Sequence, residues 1–286
     1  MKTTRLTTLA GAALFGLLTL TANAQQLKVP APSPTQTLEQ NFALSSIKIE
    51  YSRPSAKGRV IFGDLVPFGK IWRTGANSST KITFGEDVKV EGNALAAGTY
   101  ALYTIPNKDS WEILFYKDLK LGGNVAEYKA ENEVLRVKVK PSAYGAKVET
   151  FTINVADIAA SAANVELIWE NTRVVFNVVA DIDSKIMKNI ESSLAADSRP
   201  YFQAAGYYYD NDKDLNKALE WANKAIEQNP KAFYMVHLKA KIQLKLKDYK
   251  GAIATAEQSI ALAREAKNDD YVAMNQKLIA EAQKGK

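Results

Sequence analysis

The chain has 286 residues, with 37 Lys and Arg against 31 Asp and Glu for a formal charge of +6, a single His and no Cys. The lack of Cys excludes disulfides, thiolate catalysis, and Cys-based zinc or iron-sulfur sites. A mildly basic balance without a concentrated basic stripe gives no ground for nucleic-acid binding.

Residues 1–24 carry Lys2 and Arg5, then an apolar run from Leu9 to Leu20, then Ala22-Asn23-Ala24 before Gln25. This is the layout of a cleaved signal peptide. The run is too short for a membrane span, and no later segment approaches the roughly 20 apolar residues one needs. The expectation is therefore an exported protein of about 260 residues, periplasmic or extracellular, with a formal charge near +4. Without a Cys after the cleavage point it cannot be lipid-anchored through a thioether. Residues 25–38 contain Pro30, Pro32 and Pro34 and read as an extended linker.

Residues 39–182 show mostly period-two patterning with β-branched and aromatic enrichment. Strands are predicted at 47–51, 59–62, 80–84, 88–90, 99–105, 111–116, 134–140, 150–155, 164–169 and 173–179. Turn chemistry lies at Glu91-Gly92-Asn93 and 107–110, and Glu170-Asn171-Thr172 reads as a hairpin connection. Many short strands without an intervening long helix predict an antiparallel β-sandwich or barrel.

From residue 183 the period becomes helical, with helices predicted at 184–195, 199–209, 215–228, 232–246, 249–263 and 271–282. Asp214 and Asp248 are placed to cap two of them. An offset of 34 aligns Asp214-Leu215-Asn216-Lys217-Ala218-Leu219 with Asp248-Tyr249-Lys250-Gly251-Ala252-Ile253, and Gly206 with Ala240. That period resembles the tetratricopeptide repeat, so 183–286 is expected to be a short repeat array with its first and last helices as caps.

The stretch Gly69-Lys70-Ile71-Trp72-Arg73-Thr74-Gly75-Ala76-Asn77 concentrates cations, an aromatic and an amide. As a site, Arg73 would fork onto an anion, Asn77 would add directional hydrogen bonds and Trp72 a stacking face for a sugar; Lys70, Arg53 and Arg59 would add positive charge. As scaffold, Trp72 and Ile71 would be core, Arg73 would pair with an internal acid such as Asp64 or Glu86, and Gly75 and Asn77 would serve turn geometry. Among the helices, Tyr207, Tyr208, Tyr209, Trp221, Phe233 and Tyr234 either line a groove that holds a partner, with Tyr208, Trp221 and Tyr234 the leading candidates, or fill the spaces between stacked helices. Lys239, Lys241, Lys245, Lys247 and Lys250 favour an acidic segment of another envelope protein or form a solvated face. No catalytic set, metal cage or cofactor motif is apparent; His237 is alone, so a His-based triad is excluded from the sheet half. Asp64, Glu86, Asp87 and Glu170 are the acids available to an alternative, a carboxylate-dependent enzyme acting on glycans.

Four segments in order, Tyr51 to Arg59, Phe68 to Asn77, Ala97-Gly98-Thr99-Tyr100 leading to Thr104-Ile105-Pro106, and Trp169-Glu170-Asn171-Thr172, resemble the bacterial family catalogued as domain of unknown function 2911, over about residues 36–180. The resemblance implies an exported protein, often with a helical tail, and brings no assigned activity. In the family pattern an acidic residue often follows the Asn matched by Asn77, whereas Ser78 and Ser79 stand here. The expected function is that of a non-catalytic binding or adaptor protein, whose sandwich takes an anionic or sugar ligand and whose helices contact a partner.

Overall fold

A computed structural model describes residues 29–195 and 200–285. The expected signal segment and most of the expected linker lie outside them, as does Arg199. Ten strands form two antiparallel sheets that share one core. The larger sheet has the order β1 (Thr35–Phe42), β2 (Ser45–Ser52), β3 (Thr80–Phe84), β6 (Gly98–Ile105), β7 (Trp111–Tyr116), β8 (Glu133–Val139). The smaller runs β5 (Asn93–Leu95), β4 (Val88–Val90), β10 (Ala162–Ala180), β9 (Ser142–Ala156). Among the described residues no helix is long and apolar enough to cross a membrane.

Alternation explains the inner layer. Ile47, Ile49 and Tyr51 of β2, Ile82 and Phe84 of β3, and Ile113 and Phe115 of β7 point inward against Phe151 and Ile153 of β9 and Val174, Phe176 and Val178 of β10. Glu91 and Gly92 both take positive φ, 47° and 79°, and make the two-residue turn between β4 and β5.

Three segments depart from the sequence reading. β1 begins inside the expected linker: Arg53 N donates to Pro34 O at 2.9 Å, and Gln36 pairs with Tyr51. Its sequence, TQTLEQNF, is that of a polar edge strand, so it has little apolar alternation to read. Residues 59–62 are turns rather than a strand, with Gly63 at φ +97° packed on the Phe68 ring. Residues 164–179 form one continuous strand, not a hairpin; Glu170, at φ +51°, sits between two register shifts, so the expected turn is a bulge.

The larger sheet is covered on both faces. Ala101, Tyr103, Leu114 and Tyr116 face outward beneath residues 117–132, where two short 3₁₀ turns, Val125–Glu127 and Ala130–Asn132, carry Leu121, Val125 and Tyr128 onto them. Tyr103 donates its hydroxyl to Gly122 O at 2.8 Å, and the Tyr116 hydroxyl accepts from Lys129 N at 3.0 Å.

Six helices follow: α1 (Asp183–Ala195), α2 (Tyr201–Asp210), α3 (Leu215–Gln228), α4 (Phe233–Lys245), α5 (Tyr249–Glu265) and α6 (Asp269–Lys284). Asp214 accepts from Asn216 N and Lys217 N, and Asp248 from Gly251 N, capping α3 and α5. α1 joins the two parts. Ile186 touches the sandwich core and the helical core alike, Lys185 pairs with buried Glu86 at 3.0 Å, and Asp183 bonds Tyr207 and Lys213 at 2.7 Å each.

His237 is buried between α4 and α6. Asn275 Nδ2 donates to Ser259 Oγ at 2.9 Å and Tyr271 O at 2.7 Å, so its Oδ1 accepts from His237 Nδ1, 2.8 Å away. Burial lowers the His237 pKa below its ordinary 6.5; Lys241 adds to this, and the Asn275 bond opposes it. Because the folded imidazole resists protonation while the unfolded one does not, this stability is full above pH 6.5 and is lost as pH falls below it. Urea unfolding between pH 8 and 5 is expected to show that decline, and His237→Gln to remove its share of the slope.

Candidate functional site

The Lys70 to Asn77 segment begins beside β6: Trp72 N donates to Thr104 O at 2.8 Å and Thr104 N to Trp72 O at 2.9 Å. One pleat alternation then separates its side chains. Trp72 points into the sandwich, while Ile71 packs with the outward cluster on the opposite face. Beyond it, Thr74 Oγ1 donates to Thr104 Oγ1 at 3.1 Å, and Thr80 Oγ1 donates to Thr74 O.

Trp72 is 9% exposed and lies 5.9 Å from Trp169 in a near-parallel stack, with Phe151 at 5.1 Å and Trp111 at 6.4 Å edge-on. Its Nε1 donates to Gly75 O at 3.1 Å. With no free face, the ring is a core element, as the scaffold alternative has it, and offers no platform to a sugar. Gly75 must be glycine: a Cβ there would sit 3.0 Å from Ser52 O and 3.2 Å from Thr80 Oγ1.

Arg53, Arg59 and Asn77, expected as ligand contacts, are tied into the fold. Arg53 donates to Phe151 O at 3.0 Å and Thr152 Oγ1 at 2.8 Å, where residues 53–56 cross from the larger sheet to pair with β9. Arg59 donates to Ala56 O at 2.9 Å and Ser55 O at 2.7 Å within its own turn. Asn77, in the left-handed conformation at φ +58°, donates to Ser33 O and Ser52 Oγ at 3.2 Å each, holding the start of β1. Lys70 is exposed. Arg73 differs from its neighbours: its guanidinium has no hydrogen-bond or ion-pair partner among the described residues, and its Nε is buried. It therefore does not pair with Asp64 or Glu86 as the scaffold alternative has it; Asp64 is exposed, and Glu86 is held by Leu44 N and Lys185.

The acids needed by a glycan-cleaving reading hold turns. Glu86 accepts from Leu44 N at 2.9 Å and pairs with Lys185; Asp87 accepts from Ala97 N at 2.8 Å; Glu170 accepts from Ile61 N at 3.4 Å and pairs with Lys147 at 3.8 Å. Asp64 is exposed in the turn after Gly63.

Among the helices, Tyr208 and Trp221 are 4% and 5% exposed and pack edge-on at 4.7 Å between α2 and α3. They fill the space between helices instead of lining a groove. Tyr234 is exposed, against Phe202 at 5.3 Å. A groove does exist one residue further on. Tyr209, with Lys241, Lys245, Lys247, Tyr249 and Lys284, borders a hollow of 620 Å³, and Glu281 is the acid on its wall. Lys241 and Lys245 hold their ammonium groups 4.5 and 4.7 Å from the Tyr209 ring centre. The sequence signal for Tyr209 was its place in the Tyr207-Tyr208-Tyr209 run, where helical geometry alone decides which ring turns outward.

The family model described as protein of unknown function, DUF2911, matches residues 33–178, from just before β1 into the end of β10. The chain belongs to the DUF2911 family. The matched DUF2911 region is the two-sheet unit with its outer cover, and the six helices lie beyond it. No curated protein and no solved structure matches the chain.

Proposed function

We propose that this DUF2911 protein is an exported, non-catalytic adaptor whose helices hold an acidic segment of a partner protein. The layout of residues 1–24 supports export. Packing of α2 on α3, α4 on α5 and α5 on α6, with α2 and α6 also touching α4, supports a reading of the helices as tetratricopeptide-like units. On that reading α2, α4 and α6 line one face, and the Tyr209 groove lies on it.

The observation that carries the proposal is Lys241, held over Tyr209 with no acidic partner among the described residues. Lys247 and Lys284 stand in the same groove, and Lys245, although paired with Asp212 at 2.5 Å, is directed there too. Four ammonium groups, opposed by Glu281 on the wall and by Asp212 at Lys245, leave a net positive groove that favours carboxylates presented along an extended backbone. The apolar rings of Tyr209 and Tyr249 offer surface to the aliphatic parts of such a segment.

The test is fluorescence anisotropy of a labelled glutamate-rich peptide, with a glutamine peptide of equal length as reference. Preference for the acidic peptide is expected, weakening as salt rises. The Lys241→Gln/Lys284→Gln double variant is expected to lose about three- to tenfold in affinity. Equal binding by that variant would overturn the reading.

A further inference from the structure

We propose that the outer face of the larger sheet carries an oxyanion subsite built on Arg73, at the edge of the 117–132 cover. It is independent of the helical groove. Three buried side-chain atoms lack a hydrogen-bond partner among the described residues: Arg73 Nε, Ser79 Oγ and Tyr128 Oη. They come from distant parts of the chain and gather round one phenol. Burial raises the Tyr103 pKa, while the Ser79 hydroxyl turned toward its phenol and, at longer range, Arg73 oppose that rise; the Tyr128 ring lies 5.6 Å from it.

Ser79 faces the Tyr103 hydroxyl and Tyr128 faces Glu133, each beyond good hydrogen-bond geometry, whereas nothing among the described residues is aimed at Arg73 Nε. Buried polar atoms in native folds are paired almost without exception, so this guanidinium calls for a missing acceptor. Arg73 brings donors only, in a planar fork that matches two oxygens of one anion. Ser79, 3% exposed, adds a hydroxyl donor. An acceptor with two or more oxygens satisfies both residues at once, whereas a cation or an apolar group satisfies neither.

The cover is shaped to leave the fork in place. A Cβ on Gly123 would lie 2.9 Å from Arg73 Nη1, so a side chain there would displace the guanidinium. The neighbouring Gly122 is fixed by its bond from Tyr103, and Leu121 and Asn124, on either side of the glycine pair, line a separate hollow of 640 Å³ whose charged walls are Lys120 and Lys129 with Asp118 and Glu127. Asp118 is the nearby acid that also influences Tyr103, but its carboxylate accepts from Lys120 N at 2.8 Å and forms no ion pair with Arg73. An incoming anion therefore meets an uncompensated guanidinium, opposed at longer range by Asp118.

The full chain is to be titrated separately with acetate, inorganic phosphate and sulfate at constant ionic strength in sodium chloride, following the arginine Nε–Hε resonances by NMR. One saturable shift is expected, on a resonance that Arg73→Gln removes. Ser79→Ala is expected to weaken that anion by about tenfold, Asp118→Asn to tighten it, and Lys70→Gln to leave it unchanged. Acetate ahead of the others identifies a carboxylate ligand; phosphate or sulfate ahead identifies a tetrahedral one. Absence of a saturable shift with all three, or an equal affinity in Ser79→Ala, overturns the proposal, and the Ser79 result stands even if Arg73→Gln fails to fold.

Discussion

Replacement of Trp72 by Ala is expected to lower the unfolding midpoint by on the order of 10 °C, followed by near-ultraviolet circular dichroism. The indole fills the centre of a cluster with Trp111, Trp169 and Phe151, and its Nε1 holds the Gly75 carbonyl. Truncating such a ring removes its transfer free energy and leaves a cavity, about 3–5 kcal/mol together. In a domain of this size each kcal/mol moves the midpoint by roughly 2–4 °C. The near-parallel stack with Trp169 disappears as well, so the aromatic signal should change before any heating. An unchanged midpoint would show that Trp72 is not held as the core packing implies. By contrast, Arg73→Gln removes a side chain whose polar atoms have no partners and should leave the midpoint nearly where it was.

The second large effect is expected at Asn275, whose side chain is fully buried. It links α4, α5 and α6 through His237, Ser259 and Tyr271 O. Asn275→Ala removes both donors and the acceptor together, stranding the His237 Nδ1 proton in a low-dielectric site. Each buried group left unsatisfied costs about 1–3 kcal/mol, so the helices should melt well below the native midpoint. Asn275→Asp tests the same network by charge: it keeps the acceptor, loses both donors and buries a carboxylate beside the imidazole. Far-ultraviolet melting curves of the two variants that superimpose on the native one would refute this account.

The two variants read different parts of the chain, and α1 couples them. Ile186 belongs to both cores and Lys185 reaches Glu86, so loss of either core removes support from the same helix.

Period-two and helical patterning were readable because burial on one face repeats every two residues in a strand and every three or four in a helix. The Asp214 and Asp248 caps and the Glu91-Gly92 turn were readable for a similar reason: each depends on contacts within a few residues. β1 was not, since its core-facing positions are mostly polar, Gln36 and Gln40 beside Leu38 and Phe42, and so carry little apolar rhythm. The bulge at Glu170 carries the same residue types as a hairpin turn, and only pairing of β10 with β9 on both sides separates the two. The outer cover left one trace, the nearly unbroken apolar runs GTYALYTI and WEILFY, which signal strands buried on both faces.

For the Lys70 to Asn77 segment, residue types marked a place of concentrated chemistry and stopped there. Arg59 is bound within its own turn by Ser55 and Ala56, but the acceptors of Arg53 arrive from residues 151–152, and no local pattern records them. That is why Arg53, Arg59 and Arg73 look alike in the chain and differ in the fold. Composition and spacing established a cysteine-free chain of two halves, sheet then helix, because those properties are sums or short-range repeats. Which ring is core, which tyrosine faces the groove and which arginine is left without a partner were settled by long-range packing, where a side chain's role is set by neighbours a hundred residues away.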